Sequence, residues 1–228
     1  EEKPLGRGIG LTTPVIPANN TYYIGTGARA SAGLASKASF PNGGGYLTNV
    51  NQYMKYSTDI GVTLETVRLY SKQAGIVELI VGDITFENSS GFNFTQIAST
   101  SFEIYATSPT PASGDQPVYD AADTGAVFHV NLFLPPGNHA IIIKTSAGAS
   151  LFSNNNVTGN PYPFTLPGVI SFTGNSAFSA SDPNNFQGSY FSLYDMRVRT
   201  VACPTLRTAV VATVAPTPSI SVSGNVLS

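Results

Sequence analysis

The sequence predicts an all-β protein, an antiparallel β-sandwich of the jelly-roll type. Apolar and polar residues alternate in several short runs, of which 126–134 is the clearest. Alternation with a period of two is typical of a strand with one buried face. Turn-forming residues separate the runs, and no convincing amphipathic helix interrupts them. About nine strands at this spacing are typical of two stacked sheets.

The composition fits this class and excludes others. A chain of 228 residues can form one large β domain or two small ones. Only 11% of its residues are charged, and the net charge is -2. The basic residues are scattered, so we expect no nucleic-acid binding through phosphate contacts. No apolar run reaches the roughly 18 residues of a spanning helix, so we expect no membrane insertion.

The domain organisation is predicted from changes in composition along the chain. Residues 1–27 are predicted as the closing strands of an Ig-like repeat or as an N-terminal arm, with a short strand at 21–24. Residues 28–45 are rich in Gly, Ala and Ser and are predicted as a linker. The sandwich is expected to occupy 46–202. Residues 203–228 are predicted as a connector and the first strand of a following Ig-like repeat.

Within the sandwich, each predicted strand follows a periodic or apolar run. The run 76–81 is nearly all apolar and is expected to be central, buried on both faces. The segment 83–94 is predicted as a loop or irregular hairpin. The predicted strands are 53–58, 63–72, 76–81, 101–107, the two halves of 126–144, 149–152, 169–173 and 189–200.

The stretch 126–144 is predicted as an antiparallel hairpin at the centre of a sheet. Its two runs flank the sequence Pro-Pro-Gly-Asn at 135–138, which is typical of a tight reversal. Pairing across this turn would place His129 opposite Ile143. The two histidines of the chain would then share a face but lie too far apart to bind one metal ion.

The longest aperiodic stretch, 109–124, carries three candidate calcium ligands. Asp115, Asp120 and Asp123 lie in this one loop, and calcium takes oxygen ligands from such loops. The spacing is not that of an EF-hand, and aspartate is also a common turn former. Both interpretations stay open: a calcium site, or ordinary turns.

Aromatic residues in the loops are candidate sugar-binding residues. Tyr119, Tyr162, Phe164 and Phe186 could line a site in which sugars pack on rings beside Asn, Asp and Gln side chains. The same residues could instead cap the ends of the sandwich. Nucleophilic catalysis needs a Ser or Cys brought together with a His and an acid. No such constellation is recognisable, so we expect no enzymatic activity.

Short motifs occur in a consistent order along the chain. Thr-Thr-Pro at 12–14 precedes Thr-Tyr-Tyr at 21–23, Leu-Pro-Pro-Gly lies at 134–137, and Tyr-Pro-Phe lies at 162–164. A Cys-Thr-Arg-Val-Ala-Val series runs through 203–214. This order resembles multidomain surface proteins of Bacteroidota exported by the type IX secretion system. In that family a jelly-roll module is flanked by Ig-like repeats.

The resemblance implies a secreted or cell-surface location and a structural or adhesive role. The partners would be neighbouring domains or protomers of the same protein. Terminal strands could be completed by another chain through strand exchange, which would give a filament. The alternative is a carbohydrate-binding module with glycans as partners, in a calcium-dependent or calcium-independent form.

Overall fold

A computed structural model describes residues 20–24, 29–41, 43–159, 161–177, 185–200 and 208–212, the first and last of these as backbone alone. The chain consists of two compact units. One unit is Gly27–Cys203, and the other combines Glu1–Thr26 with Pro204–Ser228.

The described residues form fifteen strands and two short 3-10 turns. All strand pairs are antiparallel, which confirms the predicted all-β antiparallel class. The turns are Lys37–Ser39 and Asn185–Gly188. The strands are β1 (Asn20–Ile24), β2 (Arg29–Ala32), β3 (Gly45–Thr48), β4 (Asn51–Thr58), β5 (Val62–Leu69), β6 (Gly75–Asn88), β7 (Gly91–Ile104), β8 (Ala126–Leu134), β9 (Gly137–Ser146), β10 (Ser150–Asn154), β11 (Phe164–Leu166), β12 (Ile170–Asn175), β13 (Tyr190–Phe191), β14 (Tyr194–Thr200) and β15 (Thr208–Ala212).

Two sheets enclose one core in Gly27–Cys203. The larger has the order β11-β12-β4-β9-β6-β7, the smaller has the order β2-β14-β5-β8, and a short third sheet has the order β13-β10-β3. Leu64 and Met196 of the smaller sheet belong to the same buried cluster as Leu79 and Ile141 of the larger one. Phe152 of the third sheet joins this cluster. The apolar faces predicted from alternation therefore meet in a sandwich interior.

The predicted hairpin at 126–144 is wrong in its pairing. Both strands form, but β8 pairs with β5 in the smaller sheet, whereas β9 lies between β4 and β6 in the larger one. The connection between them therefore crosses from one sheet to the other. This arrangement allows Leu132 and Ile143 to share the core from opposite sheets. His129 consequently lies opposite Thr66 on β5, not opposite a residue of β9.

The predicted linker at 28–45 is also wrong, because most of this segment belongs to the sandwich. Strand β2 pairs with β14, and Leu34 and Lys37 are buried. The small residues serve close packing. Gly33, for example, has a φ of +73° and lies against the Tyr190 side chain, which leaves no room for a Cβ.

The segment 83–94, predicted as a loop or irregular hairpin, is part of one long hairpin of β6 and β7. Each strand has 14 residues, and two register shifts interrupt the ladder. Pairing of β6 with β9 ends at Gly82. Beyond it, Phe92 and Phe94 pack on a second buried cluster that contains Tyr53. A Cβ on Gly82 would lie 2.7 Å from the carbonyl of Thr95, so glycine permits this close approach.

The second unit contains a two-stranded ladder in its described residues. Asn20 pairs with Ala212 and Ile24 with Thr208, so β1 and β15 run antiparallel. Strand β1 includes the short strand predicted at 21–24, whereas β15 lies in the segment predicted as a connector. The strand predicted at the start of a following repeat, within 219–228, lies outside the described residues. The motif at 12–14 and Cys203 lie outside the described residues. No helix within the described ranges is long and apolar enough to cross a membrane.

Candidate functional site

Lys37 is a buried lysine in the interior of the sandwich. It opens the 3-10 turn after β2, and 2% of its side chain is exposed. Asn154 holds the backbone of this segment, because its Nδ2 donates to the carbonyls of Lys37 at 3.1 Å, Phe40 at 2.9 Å and Gly43 at 3.2 Å. The path of the chain after β2 therefore directs the lysine inward.

Four aromatic rings surround the Lys37 ammonium. Its Nζ lies 4.7 Å from the ring centroid of Tyr70, 5.0 Å from that of Phe152, and 5.3 Å from those of Tyr46 and Tyr119. Cation–π attraction of this kind replaces part of the lost hydration. We call these four rings the aromatic cage. Tyr119, a predicted sugar-binding residue, is one of its walls.

A relay of hydrogen bonds runs from Lys37 to Asp123. The Nζ of Lys37 donates to the Tyr46 hydroxyl at 2.8 Å, and that hydroxyl donates to Oδ2 of Asp123 at 2.8 Å. The Nζ also donates to the carbonyl of Asp120 at 2.6 Å and lies 3.6 Å from Oδ2 of Asp123. The amide of Gly125 donates to Oδ1 of Asp123 at 2.9 Å. The Asp123 side chain is 0% exposed.

Burial shifts the protonation of this relay away from that of exposed groups. It lowers the pKa of Lys37, and the negative charges of Asp123 and Asp120 only partly oppose this effect. Burial raises the pKa of Tyr46, and the hydrogen bond to Asp123 raises it further. Lys37 therefore gives up its proton more readily than a surface lysine, and Tyr46 stays a neutral hydroxyl.

A second buried ion pair lies beside the cage. Lys72 Nζ is 3.0 Å from Oδ2 of Asp120, with 8% and 15% of the two side chains exposed. The Ser108 hydroxyl donates to the same Oδ2 at 2.7 Å. This hydroxyl lowers the pKa of Asp120 most, burial opposes it, and Lys72 contributes further, so that the pKa falls to about 2.

The predicted calcium ligands do not converge on one point. Asp115 is exposed and accepts hydrogen bonds from the Thr48 amide at 2.7 Å and the Thr48 hydroxyl at 2.8 Å. Asp120 and Asp123 instead face lysine ammonium groups. No three His, Cys, Asp or Glu side chains are grouped to hold a metal ion in the part of the chain that the structure describes. Lysines thus balance the charges of two of the three aspartates that suggested a cation site.

The other predicted sugar-binding residues pack against one another and against the core. The ring centroids of Tyr162 and Phe164 are 4.7 Å apart, those of Tyr162 and Phe186 are 5.6 Å apart, and Phe164 lies 5.2 Å from Tyr190. All three contacts are edge-on, and the three predicted residues are half-buried. The packing favours the alternative in which these residues cap the sandwich.

A row of aromatic contacts connects this cap to the cage. Tyr190 contacts Tyr194 at 5.3 Å, Tyr194 contacts Tyr70 at 5.1 Å, and Tyr70 contacts Phe152 at 6.5 Å between centroids. Sequence reasoning missed both Lys37 and its relay partner Tyr46. One signal was available: Lys37 is the single charged residue in the segment 30–54.

A polar cleft of about 400 Å³ lies between the start of β4 and the tip of the β6–β7 hairpin. Glu87 is part of the cleft wall, and two hydrogen bonds hold its carboxylate in place. The donors are the Tyr53 hydroxyl and, at 2.6 Å, Lys55 Nζ. Amide, carboxylate and hydroxyl groups in such a cleft can bind a polar ligand. They include Asn51, Gln52, Glu87, Asn88 and Ser90, with Phe92 beside them.

Comparisons with protein-family models, with curated proteins and with solved structures find no match for this chain.

Proposed function

We propose that this chain is a structural and adhesive module of a secreted surface protein. The observation that supports the proposal most is the β1–β15 ladder. The strand that precedes the sandwich in sequence pairs with the strand that follows it. In chain order, Gly27–Cys203 is an insertion between two strands of one ladder. An insertion of this kind suits a module that is anchored to neighbouring β-structure at both ends.

The way the long loop before β8 is held also supports a load-bearing role. Loops of this length commonly carry binding or catalytic residues and are mobile. Here, Lys37 and Lys72 form ion pairs with Asp123 and Asp120 of the loop and so fix its position. Two backbone hydrogen bonds of 2.8 Å between Gln116 and Tyr46 hold it further. A sandwich whose longest described loop is fixed by ion pairs and backbone hydrogen bonds resists deformation and is suited to a load-bearing role.

The open edges of the β1–β15 ladder support assembly by strand exchange. A ladder of two strands is marginally stable in water and gains from further strands. Among the described residues, β1 and β15 pair only with each other. A strand from a neighbouring domain or protomer could extend this ladder by backbone hydrogen bonding.

Light scattering after size exclusion, over a range of concentrations, tests the assembly, and electron microscopy of the same sample shows its form. Adjacent residues of a strand direct their N–H groups to opposite sides. One of Val210→Pro and Val211→Pro therefore disrupts pairing with β1, and the other disrupts the open edge. If the wild type forms oligomers and either proline variant weakens them, the result supports assembly through these strands. A monomer at every concentration contradicts it and leaves a monomeric module.

The polar cleft favours carbohydrate binding as a second candidate function. Its amides and carboxylate are groups that bind sugar hydroxyls, whereas the predicted loop aromatics are half-buried and engaged in ring contacts or in the cage. A glycan array probed with the full chain tests this function. Asn88→Ala should lose any signal, and the exposed Asn93→Ala on β7 should keep it. Silence of the array, with and without chelator, contradicts the candidate.

A further inference from the structure

We propose that Lys37 and Asp123 are joined by an amide bond between Nζ and Cγ that the folded chain forms by itself. The bond would link the segment after β2 covalently to the loop before β8. This inference rests on the cage and the relay, and it is independent of the proposed function.

The geometry brings the reacting groups together and excludes water. Nζ of Lys37 is 3.6 Å from a carboxylate oxygen of Asp123, and the two side chains are 2% and 0% exposed. Groups held at such distances react as if at very high concentration, because the fold has already restricted their motion. Water, which would hydrolyse an amide under equilibrium conditions, is kept away by the rings of the cage.

The reaction is a condensation that needs no oxidant or reductant. Lys37 first passes a proton to Asp123, which gives a neutral amine and a neutral carboxylic acid. Burial of the Lys37 ammonium, which lowers the pKa of this group, assists the transfer. The amine then attacks Cγ, so that the Nζ–Cγ bond forms and the Cγ–Oδ2 bond breaks. Oδ2 leaves as water with its acid proton and one proton that comes from Nζ.

Tyr46 and Gly125 are placed to assist this step. The Tyr46 hydroxyl accepts a hydrogen bond from Nζ and donates one to Oδ2. It can therefore take a proton from the amine and give its own proton to the leaving oxygen, and it ends the step as a neutral hydroxyl again. The Gly125 amide donates to Oδ1, where negative charge develops in the tetrahedral intermediate. The relay thus supplies both the proton transfer and the charge stabilisation that amide formation needs.

The neighbouring pair of Lys72 and Asp120 provides an internal comparison. Its charged atoms are closer, at 3.0 Å, but both side chains are more exposed. Because solvent reaches both groups, the charges of Lys72 and Asp120 stay better solvated than those of Lys37 and Asp123, and transfer of a proton between them is less favoured. Lys72 Nζ donates to the Thr110 hydroxyl at 3.3 Å, and that hydroxyl reaches Asp120 only through the Ser108 hydroxyl. Among the described residues, no single hydroxyl bridges this pair as Tyr46 bridges Lys37 and Asp123. We therefore expect this pair to remain an ion pair.

Intact mass measurement of the full chain under denaturing conditions is the test. The wild type should be lighter than its sequence by one water, about 18 Da. The variants Lys37→Met and Asp123→Ala should have their full sequence mass, and Tyr46→Phe should show a smaller linked fraction. Lys72→Met should keep the loss. A wild type with its full sequence mass overturns the proposal.

Tryptic mapping distinguishes the amide from dehydration elsewhere, and the wild type alone decides it even if a variant fails to fold. An amide-linked lysine is no longer cleaved, so residues 30–55 should be recovered joined to 73–144. A mass loss confined to a linear peptide, or cleavage after Lys37 throughout the sample, contradicts the cross-link.

Discussion

The hydroxyl of Tyr194 donates to Oδ1 of Asn154 at 2.8 Å and thereby orients the amide of this buried side chain. With Oδ1 engaged, Nδ2 points to three carbonyls of the segment 37–43. One side chain of β10 therefore connects β14 to the segment that carries Lys37. The position of the caged lysine depends on this connection.

Replacement of Asn154 by alanine should destabilise the fold strongly. Three carbonyls and one tyrosine hydroxyl would lose a buried partner, at roughly 3 kcal/mol in the free energy of unfolding. Urea denaturation followed by circular dichroism measures the change. Asn93→Ala, at an exposed position of β7, is the matched control and should change the free energy by less than about 0.5 kcal/mol. Equal effects of the two variants would contradict a structural role for Asn154.

The strands were predictable from the sequence because alternation is a local property. In β8, for instance, Val130 and Leu132 are buried while the exposed His129 and Asn131 alternate with them. The partner of each strand was not predictable. Pro-Pro-Gly at 135–137 is compatible both with a tight hairpin and with a crossing between sheets. Burial of the apolar faces of β8 and β9 against each other favours the crossing, and this depends on all other strands.

The cage could not be predicted, because its parts are distant in sequence. Tyr46, Tyr70, Tyr119 and Phe152 come from four separate segments and meet Lys37 only in the folded chain. A lysine among small residues suggests an exposed linker when it is considered alone. The loop aspartates were found in the sequence, but their lysine partners were not, so a cation site appeared reasonable.

Ser108→Ala should raise the pKa of Asp120 and weaken the loop at neutral pH. The folded-state pKa of about 2 lies below the ordinary value of about 3.9. The wild-type contribution is therefore present above about pH 4 and is lost as the pH falls towards 2. In the variant the contribution should be smaller and its loss should be complete at a higher pH, because one donor to the carboxylate is gone and the folded-state pKa lies closer to the ordinary value. NMR titration of the Asp120 carboxyl and urea denaturation at several pH values measure both effects.

The exposed Ser101→Ala on β7 is the control for this substitution. It should leave both the Asp120 titration and the stability unchanged. If Ser108→Ala also leaves the titration unchanged, the assigned hydrogen bond is wrong.

Glu87→Gln should loosen the outer half of the β6–β7 hairpin. Burial of Glu87 raises its pKa, but hydrogen bonds from Lys55 and Tyr53 more than compensate and leave the pKa below the usual range. Its contribution is thus present above the ordinary glutamate pKa and is lost as the pH falls through the depressed value. We expect at most about 1 kcal/mol, since the pair is partly solvated.

Hydrogen exchange of the hairpin amides measures this effect locally. At neutral pH the Glu87→Gln variant should exchange faster than the wild type around 83–94, and the two should converge at acidic pH. Glu103→Gln, at an exposed position of β7, should not change exchange in that segment. A difference that persists unchanged in acid would contradict the ionic origin.

Gly44→Ala and Gly91→Ala separate backbone strain from steric exclusion. Both glycines have a positive φ, +116° and +148°, where an alanine is strained. A Cβ on Gly44 would also collide with the carbonyl of Ser153, whereas nothing lies within 4 Å of one on Gly91. Gly91→Ala should therefore cost about 1 kcal/mol and Gly44→Ala roughly 3 kcal/mol of unfolding free energy. Thermal and urea denaturation of both variants measure the two costs, and similar values would show that the Ser153 contact can relax.

Phe164→Ala decides between a core role and a sugar-binding role for the loop aromatics. Phe164 packs edge-on against Tyr162 and Tyr190, so its removal should leave a cavity and cost about 3 kcal/mol. Phe86, which is 52% exposed, is the matched control, and Phe86→Ala should change stability by less than about 0.5 kcal/mol. Urea denaturation and glycan binding are measured on the same samples. A stable Phe164→Ala variant that loses glycan binding would restore the sugar-binding interpretation, because a ring that contacts a ligand can be removed without disturbing the core.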